Sequence, residues 1–227
     1  MSHTFRLIVF DLDGTLVDSQ HVIVRAMSEA FAAHHLPRPA AEAVRRVVGL
    51  KLEFAVARLL PDPDDWGTAA RVAERYREAF LALRARPDYH EPLFPGAREV
   101  LALLDRPEVC LGIATGKNRR GLMASLERHG LAHHFVTLQT ADDGPGKPHP
   151  EMLHCAMADA GAGPDETVLI GDTTFDMEMA CHARARGIGV AWGYHDPAEL
   201  RASGAVRVIE TFDDLPPTLS ALGAHNA

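Results

Sequence analysis

Cysteine is scarce in this chain: 227 residues hold three, Cys110, Cys155 and Cys181. They are widely spaced, odd in number and free of any CxxC pair, which excludes a disulfide framework and a zinc site. They are expected to be small buried or half-buried apolar residues. Long hydrophobic runs are missing as well. Nothing approaches about eighteen consecutive apolar residues, so no membrane span is expected. Dense basic blocks are absent: 23 Lys and Arg stand against 31 Asp and Glu, a net charge of −8. That balance argues against a generic nucleic-acid partner, yet says little about a small anionic substrate that a few local donors can hold. Internal repeats and low-complexity tracts are lacking, and no leader is expected. Met1-Ser2-His3-Thr4 is polar, and the apolar run after it is short and ends in Asp. A cytoplasmic enzyme with neither nucleic-acid nor membrane partners is the expectation; oligomeric state is not readable.

What is present suits a soluble globular protein. Apolar residues make up 47% and charged residues 24%, enough for a sizeable core in one domain or a domain carrying a large insertion. The chain is organised around Phe5-Arg6-Leu7-Ile8-Val9-Phe10-Asp11-Leu12-Asp13-Gly14-Thr15. A short apolar run bounded by a turn signal reads as a buried strand of a parallel sheet. Ligands of open α/β sheets bind beyond the carboxyl ends of the strands, where Asp11 and Asp13 fall. If the strand conformation continues, both carboxylates point to one side. Two adjacent acids repel unless a cation comes between them, and Mg²⁺ with oxygen ligands is the usual solution. Asp-x-Asp-Gly also opens an EF-hand loop, but a strand precedes it here and Val22 stands where the bidentate Glu would be.

From about Ser19 to Leu83 the apolar spacing is helical throughout: Val22, Ala26, Ala30 and Ala33, then Val44, Val47 and Val48, then Leu52, Ala55, Val56, Leu59 and Leu60. Ser19 is read as an N-cap, and prolines at 37, 39, 61 and 63 punctuate a block of about four helices. From Phe94-Pro95-Gly96 onward, strands and helices alternate. Strands are expected over 109–115, 135–138, 167–171, 187–191 and 206–209, with helices over 97–104, 119–129, 151–160, 175–183 and 197–202. This alternation means βαβ units and a parallel sheet. The fold class is α/β, a Rossmann-like parallel core (1–16 and 88–227) with an inserted helical domain (17–87). An insertion at the tip of that strand is well placed to act as a lid. The tail beyond Gly223 is expected to fray.

Polar groups occur at four strand ends and loops: Asp11/Asp13 with Gly14 and Thr15; Thr115-Gly116-Lys117; Gly146-Lys147-Pro148; and Gly171-Asp172-Thr173-Thr174-Phe175-Asp176. Singly, each is an ordinary turn, cap or loop. Their joint placement reverses that reading. Lys117, Arg119 and Arg120 are read as a solvated helix face rather than a cationic rim, and the pairs His34/His35 and His133/His134 as helix-end and loop residues rather than metal ligands.

In this order the four segments resemble the motifs of the haloacid dehalogenase superfamily of phosphohydrolases, in the DxDGT form that marks its phosphatase branch. The helical insertion resembles the C1-type cap. Residues 113–122 together with 147–152 look like the phosphoglycolate phosphatase-like subgroup. The resemblance implies Asp11 as nucleophile, forming an aspartyl-phosphate, and Asp13 as acid and then base. It implies Mg²⁺ bound by Asp11, Asp172 and the backbone carbonyl of Asp13, with Asp176 beside the metal. Thr115 and backbone N–H groups around Gly116 would hold phosphate oxygens, and Lys147 would offset charge. Gly49-Leu50-Lys51 falls where such caps carry a specificity loop, so Lys51 is a candidate for reaching a substrate carboxylate or second phosphate. The expected activity is Mg²⁺-dependent hydrolysis of a small phosphorylated metabolite, phosphoglycolate or a sugar phosphate. A phosphomutase of the same superfamily is one alternative. A phospho-receiver or other binding protein without turnover is another; the insertion and Asp13 argue against it.

Overall fold

In the computed structural model, residues 5–224 are described. The reading of residues 1–4 as non-leader and of the final tail as frayed concerns residues outside that range, Ala224 excepted. Leu7, Ile8, Val9 and Phe10 form β1 (Leu7–Phe10) and are all buried. Each such side chain contributes about 1.5–3 kcal/mol when removed from water. The strand is buried on both faces because β2 (Cys110–Ala114) and β4 (Thr167–Gly171) flank it in parallel. With β3 (Phe135–Gln139), β5 (Arg186–Val190) and β6 (Ala205–Ile209), the described residues build a six-stranded parallel sheet of order β3-β2-β1-β4-β5-β6.

Alternation along the strands divides the core into two layers. Ile8, Phe10, Leu111, Ile113, Val168 and Ile170 face one side, against α5 (Ala97–Leu104), α6 (Arg119–His129) and α10 (Leu215–Ala224). Leu7, Val9 and Leu169 face the other, against α7 (Glu151–Ala160) and α8 (Thr174–His182). Helix α9 (Pro197–Ala202) packs on β6 and β5. Helix α10 has no counterpart in the sequence reading. Its Pro216 and Pro217 sit in the first turn, where a missing N–H costs little.

The block between β1 and β2 is helical, as its spacing predicts: α1 (Gln20–Ala33), α2 (Ala41–Arg45), α3 (Leu52–Leu59) and α4 (Trp66–Arg84). These helices share an apolar cluster of their own, with Ala26, Phe31, Val44, Val56 and Val72 fully or almost fully buried. A smaller cluster joins this block to the sheet layer, where Phe175 of α8 packs against Val47, Leu50 and Ala55. Arg46 adds a two-pronged ion pair to Glu199 of α9, its Nη2 lying 2.7 Å from Oε1. No described helix is long and apolar enough to cross a membrane.

Candidate active site

Strand order reverses between β1 and β4, and a crevice opens beyond the ends of strands at such a point. Asp11 follows β1 and Asp172 follows β4, so the acids flank it. The strand conformation does not run on to Asp13. The carbonyl of Leu12 accepts from the N–H groups of Thr15, Leu16 and Val17 at 3.3, 2.9 and 2.9 Å, and Gly14 turns the chain at φ 88°. A Cβ on Gly14 would also lie 2.2 Å from Asp172 Oδ2, so only glycine fits.

Both carboxylates line one cavity, but after this turn they take different partners. Asp11 Oδ1 accepts from the Leu12 N–H at 2.6 Å, and its Oδ2 lies 2.8 Å from Lys147 Nζ. Asp13 Oδ1 instead accepts from the Ser19 hydroxyl at 2.6 Å and lies 2.9 Å from Lys117 Nζ. Ser19 does occupy the N-cap position of α1, but its side chain makes no capping bond.

Asp172 is fully buried; its Oδ1 accepts from the Thr15 hydroxyl at 2.8 Å and its Oδ2 from the Tyr194 N–H at 3.0 Å. Asp176 caps α8 through Oδ2, which accepts from the Thr173 N–H and hydroxyl at 3.1 and 2.6 Å. Its Oδ1 lies 2.6 Å from Lys147 Nζ. Oxygens of Asp11, Asp172 and Asp176 all come within 4.8 Å of one another, and among the described residues no other three His, Cys, Asp or Glu are so grouped. The carboxylate of Asp13 is not one of them.

Three buried acids therefore face one ammonium. Burial, then the charges of Asp11 and Asp176, push the Asp172 carboxyl well above its usual range. Burial likewise raises Asp11 to about 7, with Lys147 opposing and Asp176 adding. Burial disfavours the charged form of Lys147, but Asp11 and Asp176 outweigh it and hold the ammonium protonated. Burial raises both carboxyls, and the neighbouring acids add to that rise and hold Lys147 charged. An oxygen-seeking divalent cation such as Mg²⁺ fits that donor set.

Thr115 follows β2, its N–H bonded to the Gln139 carbonyl at 3.0 Å and its hydroxyl oxygen accepting from the Lys117 N–H at 3.3 Å. Thr115, Gly116, Asp11 and Asp13 line one cavity between the sheet tips and the inserted helices. A Cβ on Gly116 would stand 2.6 Å from the Gly49 carbonyl and 2.8 Å from that of Leu50, so the α2–α3 loop rests on this glycine. Lys51 lines the same cavity, with Nζ 3.3 Å from the Gly144 carbonyl.

Lys117 differs from its reading as part of a solvated face. It turns inward, 2.9 Å from Asp13, 3.7 Å from Glu91 Oε1 and 4.9 Å from the Phe80 ring centroid. Burial pulls its pKa down, but Asp13 and Glu91 outweigh burial and raise it. Arg119 is exposed and paired with Asp143, as a surface residue would be. Glu91 and Tyr194 escaped the sequence reading, while Ser19, read as a cap, and Thr15, read as part of the first motif, hold Asp13 and Asp172 instead. The one available signal was the position of Lys117, two residues after a strand-end threonine.

A parallel α/β sheet with an acid–lysine centre at its reversal point, covered by inserted helices, defines a class of enzyme. Residues 8–190 match the model of the family described as haloacid dehalogenase-like hydrolase. The chain belongs to that family and is a hydrolase. It is 36% identical over 217 residues to a protein of Dickeya dadantii (strain 3937) named "Probable phosphatase IndB", covering 95% of this chain and 94% of that one. It is 30% identical over 223 residues to a phosphoglycolate phosphatase of Pectobacterium atrosepticum, covering 97% and 95%. Among solved structures, a hydrolase from Pseudomonas syringae superposes with a TM-score of 0.84 at 31% identity, covering 95% of this chain and 98% of that one.

Proposed function

We propose that this hydrolase is a Mg²⁺-dependent phosphatase that cleaves the monoester of a small phosphorylated metabolite through an aspartyl-phosphate on Asp11. Residues 17–87 serve as its cap and residues 1–16 with 88–227 as its core. The observation that carries the reading is the buried Asp11, bridged at 2.8 Å to Lys147 and grouped with Asp172 and Asp176. A lysine held between two acids lowers the charge an incoming phosphate meets. Asp11, Asp172 and the backbone carbonyl of Asp13 would hold Mg²⁺, with Asp176 beside it. That ion, when bound, supplies the charge screening that lets a carboxylate approach a phosphate dianion.

Asp11 attacks phosphorus, and the bond from phosphorus to the ester oxygen breaks. Asp13 gives its proton to the departing alcohol and next takes one from the attacking water, which restores Asp11 and frees phosphate. The Thr115 hydroxyl and N–H groups about Gly116 receive phosphate oxygens, and Lys147 offsets the developing charge. Lys51 lines the cap side of the cavity, where it would meet the substrate's far end. The test is release of p-nitrophenol from p-nitrophenyl phosphate with Mg²⁺. Turnover well above the Asp11→Asn variant supports the reading; release equal to that variant favours a receiver or binding protein.

A further inference from the structure

The cavity that contains Asp11 and Asp13 has a volume of about 270 Å³. An apolar cavity of roughly 150 Å³ accepts a benzene ring, so this one holds a phosphate and a body of ring size beyond it. The cap side of the lining carries an apolar wall, Ile23 and Met27 of α1, Val44, Val47 and Val48 in and after α2, and Phe80 of α4, with Tyr76 and the charged Glu53 and Glu74 beside it. None of the six wall side chains offers a hydrogen bond. A polyhydroxylated sugar seated against that wall would leave the hydroxyls facing it without partners, which costs free energy at each one.

The basic residues of the lining are largely committed. Lys117, the cation adjoining Asp13, is shared between Asp13 and Glu91. Arg77 is held by Glu53 and Glu74. Lys51 is directed to the Gly144 carbonyl, and Arg84 lies over the Phe80 ring at 5.2 Å. A carboxylate carried on the substrate next to its ester would therefore meet two acids for one ammonium near Asp13. Arg120 is exposed on the same lining, which makes a carboxylate-bearing ligand the comparison that decides.

We propose that the alcohol half of the substrate is an apolar body of about ring size, seated on the Ile23–Met27–Val44–Val47–Val48–Phe80 wall. The inference rests on the phosphatase reading for its reaction, while the cavity's preference is a separate matter that binding alone measures. The probes are phosphonates, which have no ester bond to hydrolyse. Calorimetric titration of the wild-type chain in Mg²⁺ would compare benzylphosphonate, phosphonoacetate and methylphosphonate.

Benzylphosphonate is expected to bind at least ~10-fold more tightly than either of the others, the gain of burying a ring. Val48 is only half-buried, so Val48→Asn is compatible with folding, and it is expected to lower the ratio of benzylphosphonate to methylphosphonate affinity by most of that preference. Phosphonoacetate binding as tightly as benzylphosphonate, or benzylphosphonate no tighter than methylphosphonate, would overturn the proposal. Neither result depends on turnover. Failure of p-nitrophenyl phosphate hydrolysis would strike the phosphatase reading and leave the binding comparison standing.

Discussion

Ser19 donates its hydroxyl to Asp13 at 2.6 Å from the very position where it was expected to cap α1. The residue just before α1 thus holds the carboxylate proposed as acid and base. Ser19→Ala is expected to lower kcat about tenfold with KM nearly unchanged, and to cost about 1–2 kcal/mol of stability for the lost charged hydrogen bond. Steady-state kinetics and a thermal melt check this. A variant with a lowered melt and an intact kcat would make Ser19 a helix cap after all.

Lys147 is the one ammonium reaching both Asp11 and Asp176, at 2.8 and 2.6 Å. Lys147→Ala leaves three buried acids uncompensated, and breaking such a buried pair costs about 3–5 kcal/mol. The variant is expected to melt much earlier than wild type, to recover part of the loss in Mg²⁺, and to lose most activity. Equal melts in the absence of metal would contradict the charge balance described.

Gly116 supports the cap loop, because a Cβ there would stand 2.6 Å from the Gly49 carbonyl. That atom is backbone and cannot swing aside. Gly116→Ala is therefore expected to hold the cap away from the sheet tips, reducing kcat/KM roughly 10–100-fold by misplacing the reacting groups. The melt should shift little, since the sheet core is untouched. Unaltered kinetics would show that the loop does not need to sit this close.

Metal and pH are expected to be linked. The Asp11 carboxyl is raised to about 7, and Asp172 also upward, chiefly by burial. A carboxyl raised on folding binds more protons when folded, so its contribution is present at acid pH and is lost as pH rises through the folded value. Metal-free protein should accordingly lose stability from about pH 4 toward 7. Mg²⁺ needs the ionised forms, so its stabilising effect should grow over the same interval. Melts with Mg²⁺ and with EDTA across that range would test this; a gap independent of pH, or no gap, would contradict it.

Much of this arrangement was legible in the chain. Apolar strands ending in Asp11, Thr115 and Asp172 reveal the sheet because side chains buried on both faces leave a continuous apolar run. The helical spacing of 22–60 reveals the insertion for the same reason at another period. The relations across the cleft were not legible. Asp13 takes Ser19 and Lys117 as partners while Asp11 takes Lys147, and no pattern of polarity records that division. Lys117 reads as a surface lysine until Glu91 and Asp13 are brought to it from distant segments. Tyr194 reaches Asp172 through its backbone N–H, for which its side chain gives no signal.

The central claim is covalent chemistry on Asp11. Acid quenching of the Asp13→Asn variant during turnover, followed by peptide mapping, tests it most directly, because removal of the base slows hydrolysis of the intermediate. The expected result is a phosphoryl group on the peptide containing Asp11, absent when Asp11 is also replaced by Asn. A phosphoryl group on another residue, or none despite steady turnover, would contradict the account.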